Sequence, residues 1–470
     1  MNAAATYELM LYASCLVFAA VALTYARSSS ASLFHPATGY LAFHFIVFAL
    51  RPLFAFYGNY NTIYVAYHFQ PSWSDKNTVI LGANLGLIVF VAAAMRWGRD
   101  TLGFESRDDD RTEYVVPVLI ACFVCGIPAL WSLITNFQIS AGIRESGITM
   151  DLATGTVINK TGNGYFFEAS LMMATLAGMF AYVFRFRWWS FLPLFAFVIL
   201  RGGIGGRGPI IAAIFFMILL YSYAHKRYWL NLKTAGLMVA ALAIFRVVGD
   251  DRGAAIREFV GFKSGPVRSQ VLRFLEAMDW ANLEFFEYLV YVVPQRSKSY
   301  DYFLAELQIF TEPIPRILWT GKPIGAPIKL FDLWHYGQPI GMTYSLPGAG
   351  WFELGWIGII VLSAFFAWIY AAAFSRFARS RRGAFSVMLY CAFLTTSIVA
   401  FRDGQLMTVL RQSLFYLAPV LVMEATARVQ RGPSEDQRRR QQKLRTEVGS
   451  TARPSPGERR RKRAALVGGG

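Results

Sequence analysis

Two arginines stand among glycines between two apolar segments of the chain, in the sequence RGGIGGRGP from Arg201 to Pro209. A guanidinium group binds phosphate oxygens through two parallel hydrogen bonds and keeps its charge at physiological pH. Glycine lets the backbone approach a ligand closely, and Pro209 suits the first turn of a helix, whose free N–H groups attract anions. The stretch therefore indicates a phosphate-binding turn. A plain hinge with membrane-anchoring arginines is the alternative.

The elements that must position these arginines are apolar segments long enough to cross a membrane. Of the 470 residues, 55% are hydrophobic and only 16% are charged, whereas soluble domains carry about 25% charged residues. Apolar runs of about 18 residues or more recur, and each can span a hydrocarbon core of ~30 Å. The chain is therefore predicted to be an all-α polytopic membrane protein with about eleven transmembrane helices. The predicted spans are 6–26, 38–57, 77–95, 114–135, 163–184, 188–205, 207–224, 231–249, 346–374, 384–401 and 406–425.

Basic residues orient these spans. Residues 1–425 form the predicted transmembrane domain, and the segment 426–470 holds 13 Lys/Arg but 4 Asp/Glu. We predict that this segment is a disordered cytoplasmic tail that contacts anionic lipids, with nucleic-acid binding as the weaker alternative. Counting back from the tail places the N-terminus and the RGGIGGRGP turn outside, together with a large loop at 250–345 between the eighth and ninth spans. Every segment assigned to the inside carries Lys or Arg, as expected of cytoplasmic loops.

Three further arginines match Arg201 in their predicted depth. Arg51 and Arg201 lie 13 residues beyond the span starts at 38 and 188, Arg246 lies 13 residues beyond Lys233 near the start of its span, and Arg411 lies 14 residues before the span end at 425. At ~1.5 Å per residue this is about 20 Å into the membrane. An unpaired charge at such a depth costs roughly 2.5–3.5 kcal/mol, so residues of this kind usually face an internal cavity. The pattern favours a cationic cavity, with snorkelling to the outer interface as the alternative.

The large outer loop contains two kinds of sequence. Residues 271–293 are amphipathic and aromatic, which predicts a helix lying on or dipping into the outer leaflet. Residues 311–358 are rich in proline and glycine, which predicts ordered turns.

Two motifs of this region, PIPRILWTGKP at 313–323 and WFELGWIGII at 351–360, resemble those of bacterial oligosaccharide repeat-unit polymerases. These enzymes make O-antigen, capsular polysaccharide or exopolysaccharide. The upstream RGGIGGR sequence resembles a segment of the same family, although its glycine run is richer, so either arginine can match the family arginine. The resemblance implies a GT-C-like glycosyltransferase fold with a large periplasmic loop. It implicates Arg201, Arg207, Pro315, Arg316, Lys322, Pro323 and Glu353.

The resemblance implies transfer of a growing glycan from undecaprenyl diphosphate onto a lipid-linked oligosaccharide repeat unit. The transfer would take place at the periplasmic face of the bacterial inner membrane. Its main requirement is neutralisation of the departing diphosphate. The candidate catalytic residues are Arg207, Arg201, Glu353, Arg246 and Arg411. The candidate substrate-binding residues are Arg51, Arg252, Arg316, Lys322, His335 and Arg402.

The general base for the acceptor hydroxyl has several candidates. Glu353 is the first choice, because it is a carboxylate at the outer end of a span, but an acid that interacts with the helix dipole is an equal interpretation. The other candidates are Asp250, Asp251, Glu168, Asp403 and His335. A transfer that retains stereochemistry would need no external base.

No cofactor and no metal are expected, with metal binding by Asp250 and Asp251 on the predicted outer side as the weaker alternative. Cys122 and Cys125 lie within an apolar span without a second cysteine pair, and Asp108–Asp110 lie among arginines in a cytoplasmic loop. The expected partners are the lipid-linked oligosaccharide, membrane lipids and a chain-length regulator protein, with no nucleic acid. Three alternatives stay open. One is an O-antigen ligase, which delivers glycan to the lipid A core. Another is a lipid-oligosaccharide flippase or transporter, which predicts polar residues at the midplane and internal repeats. The third is a lipid-anchored structural or scaffold role, which would not need the arginine layer.

Overall fold

A computed structural model describes most of the chain up to Arg431. The described residues are 3–104, 110–144, 148–150, 157–159, 168–232, 235–236, 258, 275–276, 280–314, 318–319, 321–322, 325–337, 343–380 and 382–431. The predictions made for Arg246, Arg252 and Arg316 lie outside the described residues, as does most of the predicted span at 231–249.

Helices dominate the described residues. Helices α1 to α7 are Ala3–Ala26, Pro36–His44, Arg51–Gly58, Thr62–Tyr67, Trp73–Trp97, Val115–Val124 and Gly126–Ser140. Helices α8 to α16 are Met172–Val183, Leu192–Gly203, Gly208–Ala224, Asn282–Val292, Gln308–Thr311, Leu346–Arg379, Ala384–Thr395, Ser397–Arg402 and Leu406–Arg431. The all-α prediction misses one feature, an antiparallel pair of short strands in which β1 (Ile148–Met150) pairs with β2 (Val157–Asn159).

The chain is a helical polytopic membrane protein. Among the described residues, six helical stretches are long and apolar enough to cross a membrane, and a bent pair between Arg111 and Ser140 would make a seventh. Ala169–Val183, Trp188–Gly203 and Gly208–Ala224 are apolar but only 10–17 residues long. A helix thus lies at each predicted span that the structure describes, while eleven crossings stay a prediction. The last helix continues to Arg431, into the segment predicted as tail.

The segments that were predicted to share the inner side contact one another. The loop 27–37 is joined to 225–230 by a hydrogen bond from Leu33 N–H to the carbonyl oxygen of Tyr228 at 2.8 Å. Segment 96–113 forms two ion pairs. Asp100 pairs with Arg379 of segment 375–383 at 3.2 Å, and Glu113 pairs with Arg431 at the end of α16 at 3.1 Å. These contacts pair segments for which the charge pattern predicts a common side.

Helix α11 differs from the amphipathic surface helix that was predicted within 271–293. Ten of its eleven residues are buried, on all sides of the helix. A helix lying in a lipid interface would leave a polar face open to water. In α11 the polar side chains Asn282, Glu284 and Glu287 instead find partners inside the protein, so the helix is an internal element.

Helix α13 bends sharply near its start. Leu354 and Gly355 leave helical geometry, and Gly355 has a φ of 58°, a value that glycine adopts without steric cost. The two parts of α13 then pack so closely that a Cβ atom on Gly358 would overlap the carbonyl oxygen of Gly350. The glycines at 350–358 therefore determine the shape of the bend.

We expect Gly358→Ala to lower the free energy of unfolding by about 1–3 kcal/mol, because an added methyl group meets backbone that cannot rotate away. Gly126→Ala is the matched control, since a Cβ atom there would contact Leu176 at an ordinary 3.7 Å. Thermal unfolding in detergent measures both variants. Equal melting temperatures for the two would contradict the close backbone contact.

Candidate functional site

The ends of several helices converge on one cavity of about 460 Å³. The turn between α9 and α10 and the turn between α15 and α16 form opposite parts of its wall, and the residues just before α8 complete it. The polar side chains that line the cavity are Glu168, Ser170, Arg201, Arg207, Thr343, Arg402, Asp403, Thr408, Gln412 and Tyr416. Three arginines thus share one cavity that two stretches of chain, remote in sequence, build together.

Glycines shape the turn between α9 and α10. Gly205 has a φ of +78°, which lets the chain reverse after α9 ends at Gly203. A Cβ atom on Gly206 would lie 2.7 Å from Nε of Arg201, so the guanidinium group rests against bare backbone. Helix α10 then begins at Gly208, which lines the cavity together with Pro209. The cavity therefore receives both a guanidinium group and the positive end of a helix dipole.

Two of the arginines have open hydrogen-bond donors. Arg201 donates from Nη1 to Oγ of Ser170 at 3.1 Å. The buried Nε atoms of Arg201 and Arg402, however, have no hydrogen-bond partner within the described part of the chain. Buried donors are almost always satisfied in native proteins. These two atoms therefore point to an acceptor-rich ligand in the cavity.

The turn that carries Arg402 and Asp403 is fixed by its neighbours. Gly404 has a φ of +76°, and a Cβ atom there would lie 2.8 Å from Cβ of Ala349 at the start of α13. The carbonyl oxygen of Arg402 accepts hydrogen bonds from the Ser345 N–H and from Nδ2 of Asn282, each at 2.8 Å. The N-terminal ends of α11 and α13 thus set the position of Arg402, the third arginine of the cavity.

Two carboxylates line the same cavity. Glu168 forms an ion pair with Arg411 at 3.1 Å, so Arg411 reaches the cavity through Glu168. Burial raises the pKa of Asp403, against the effects of a hydrogen bond from Thr408 and the positive charges of Arg402 and Arg411. The arginine charges are therefore only partly compensated by the protein's own acids.

The structure separates Arg51 from the other arginines. Its side chain is fully buried and donates to Glu284 from Nε at 2.8 Å and from Nη2 at 2.7 Å. A third bond from Nη1 goes to the carbonyl oxygen of Leu275. A buried carboxylate of α11 thus binds the Arg51 guanidinium group inside the protein, while its substrate-binding role stays a prediction.

Lys322 also has partners of its own. Its Nζ lies 3.3 Å from the Glu312 carboxylate and donates to the carbonyl oxygens of Glu312 and Ile314 at 2.8 and 3.1 Å. These contacts tie Lys322 to Glu312 and Ile314, and its phosphate-binding role stays a prediction. His335, the other loop candidate, is exposed in a short helical turn and does not line the cavity.

Glu353 does not line the cavity either. Its carboxylate is buried and accepts a hydrogen bond from the Phe303 N–H at 2.6 Å, while its carbonyl oxygen accepts one from Tyr302 N–H at 2.8 Å. The bend of α13 freed that carbonyl, and the loop segment 301–306 satisfies it. Glu353 thus anchors the loop segment 301–306 to the bend, and its general-base role stays a prediction.

The same loop segment reaches the cavity wall. The Leu406 N–H donates to both carboxylate oxygens of Glu306, at 3.0 Å to Oε1 and 3.1 Å to Oε2. Glu306 therefore caps the first turn of α16. Burial raises the pKa of Glu306, with the negative charge of Asp403 as a further cause. Segment 301–306 thus joins the bend of α13 to the turn at Arg402 and Asp403.

Sequence analysis named Arg411 of α16 but missed three other polar residues of this helix. Thr408, Gln412 and Tyr416 follow one another at intervals of four residues, and all three line the cavity. This spacing places side chains on one helix face. Polar residues at every fourth position after the RDGQ turn (402–405) are a sequence pattern that could have identified this wall of the site.

No family model, curated protein or solved structure matches this chain. The resemblance to repeat-unit polymerases therefore depends on the short motifs, of which the RGGIGGR turn lines the cavity and the Glu353 motif does not. Within the described residues, no group of three His, Cys, Asp or Glu side chains is placed to hold a metal ion.

We expect Gly206→Ala to weaken anion binding without unfolding the protein. The new methyl group would displace the flexible Arg201 side chain, because it would lie 2.7 Å from Nε. Losing one charge-assisted hydrogen bond of roughly 1.5–3 kcal/mol lowers affinity for inorganic diphosphate at least about tenfold. Calorimetric titration measures this, with Gly126→Ala as control. Wild-type affinity in Gly206→Ala would show that Arg201 does not bind anions from this position.

The ion pair between Arg51 and Glu284 gives a second expectation. Glu284→Gln leaves a buried guanidinium group without its counter-charge, which costs about 3–5 kcal/mol. The double variant Arg51→Met/Glu284→Met removes both charges and should regain most of the lost stability. Melting in detergent measures the difference, and the double variant should bind diphosphate like wild type. Loss of diphosphate binding in the folded double variant would instead show that Arg51 contributes to the binding site.

Proposed function

We propose that the protein is a membrane glycosyltransferase of the oligosaccharide repeat-unit polymerase type. It transfers a growing glycan from undecaprenyl diphosphate onto a lipid-linked repeat unit at the periplasmic face of the bacterial inner membrane. The observation that carries the proposal is the cavity in which Arg201, Arg207 and Arg402 meet the first turn of α10, with two buried Nε donors open.

The chemistry of the cavity fits a diphosphate leaving group. Guanidinium groups bind phosphate oxygens as forks, and a helix N-terminus adds partial positive charge without a counterion. Donors that are already aimed at the developing charge stabilise a transition state without reorganising. A cavity of about 460 Å³ lies within the usual range for small-molecule sites. It has room for the diphosphate end of a lipid-linked substrate, while glycan and isoprenoid chain extend beyond it.

The position of the cavity fits a lipid-linked substrate. It lies at the ends of apolar helices, opposite the end where the loops 27–37, 96–113, 225–230 and 375–383 meet. Those loops and the tail at 426–470 carry the positive charge that cytoplasmic segments carry. This arrangement supports a periplasmic N-terminus, a cytoplasmic C-terminus and a cavity at the outer leaflet, where lipid-linked repeat units would be joined.

Reconstitution tests the proposal. Purified protein in liposomes with an undecaprenyl-diphosphate-linked oligosaccharide should form chains of several repeat units. Arg207→Ala and Arg402→Ala should each slow elongation about 10²–10³-fold, the usual effect of removing one donor that stabilises transition-state charge. Arg379→Ala is the matched control, because that side chain is 72% exposed at the opposite end of the helices.

Three outcomes would count against parts of the proposal. Absence of any elongation by the wild-type protein would overturn it. Full elongation by both cavity variants would remove these arginines from the mechanism. Transfer of glycan to lipid A core, without chain growth, would identify a ligase.

A further inference from the structure

We propose that Asp403 is the general base that accepts the proton of the acceptor hydroxyl. The inference rests on the proposed function and assigns a role within it. Asp403 lines the same cavity as Arg201, Arg207 and Arg402, so it borders the space in which the leaving group would lie. A base must reach the reacting hydroxyl directly or through one water molecule, and a shared cavity meets this requirement.

The other acids near the cavity are already committed. Within the described residues, Glu168 and Asp403 are the two carboxylates that line it. Glu168 forms the ion pair with Arg411. Glu306 and Glu353 accept hydrogen bonds from the backbone N–H groups of Leu406 and Phe303 and do not reach the cavity. Asp403 is thus the cavity carboxylate that is not held by a direct ion pair.

The position of Asp403 is fixed from several sides. Its N–H donates to the carbonyl oxygen of Val399 at 2.8 Å, and its carboxylate accepts a hydrogen bond from the Thr408 hydroxyl. The adjacent Gly404 packs against the start of α13, and Glu306 caps the helix that begins two residues later. A hydrogen bond to one carboxylate oxygen leaves further lone pairs for the proton. The backbone at Asp403 is therefore held in place, and its carboxylate is still able to accept.

The transfer step balances with this base. The acceptor oxygen forms a bond to the anomeric carbon of the growing glycan, while the bond from that carbon to the diphosphate oxygen breaks. The electron pair of the broken bond stays on the diphosphate, whose new negative charge faces the cavity arginines. The acceptor proton passes to the Asp403 carboxylate and then to water.

The surroundings of Asp403 define the expected pH dependence. Burial raises its pKa above the ordinary value of about 3.9, and the Thr408 hydroxyl, Arg402 and Arg411 oppose the increase. The other titratable groups that interact with it are Glu306 and Tyr344. The carboxylate form, which accepts the proton, predominates above this pKa, so kcat should fall as the pH falls through it.

Kinetics of Asp403 variants test the assignment. Asp403→Asn should lower kcat about 10²–10⁴-fold with little change in KM, and it should lose the acidic limb of the pH profile. Asp403→Glu should keep part of the activity. Formate should restore part of the activity of Asp403→Ala but not of Arg402→Ala. Glu113→Gln is the control, since that acid is exposed at the other end of the molecule.

A second variant keeps the test independent of folding. Thr408→Val removes a hydrogen bond that stabilises the charged carboxylate, so the acidic limb of kcat should move to higher pH. An unchanged limb in Thr408→Val, or near-wild-type kcat in Asp403→Asn, would overturn the base assignment while wild-type elongation persists. Absence of elongation by the wild type is the different result that overturns the proposed function itself.

Discussion

Burying a guanidinium group beside hydrocarbon costs free energy unless its donors are satisfied, and this cost governs how the arginines of the chain are arranged. The protein meets it in two ways. Arg51 donates to Glu284 and to the backbone of Leu275 from all three of its nitrogen atoms, so it belongs to the packed interior. Arg201 and Arg402 keep donors open towards a cavity, and Arg411 is balanced by Glu168. The difference between a structural and a functional arginine here is whether the protein supplies the anion.

The bend in α13 gives the outer loop access to that cavity. A continuous helix would keep the Phe352 and Glu353 carbonyl groups bonded within itself. The bend releases them, and the N–H groups of Asp301 and Tyr302 become their donors at 3.1 and 2.8 Å. The same segment ends at Glu306, which caps α16 beside the cavity. Residues that are remote from the arginines thus control the orientation of the turn at 402–405.

The local sequence predicted the turn at 201–209 and the helices around it. The spacing of apolar residues and the positions of glycines are properties of neighbouring residues, so they can be recognised without knowing the fold. Partners could not be predicted in this way. The carboxylate that neutralises Arg51 lies 233 residues away, and the group that binds the Glu353 carboxylate is the backbone N–H of Phe303. A sequence gives the depth of a charge, but only packing decides whether the charge is already paired. Helix α11 was misplaced for the same reason, since its acids are paired inside the protein.

The cavity wall comes from two parts of the chain, one at 168–212 and the other at 343–416. A multivalent anion bound there would act as a removable cross-link between them. Closing a long loop through such a link reduces the conformational freedom of the unfolded chain, and binding to the folded state alone shifts the folding equilibrium by mass action. The two halves of the helical assembly would then unfold as one cooperative unit when the cavity is filled and more independently when it is empty.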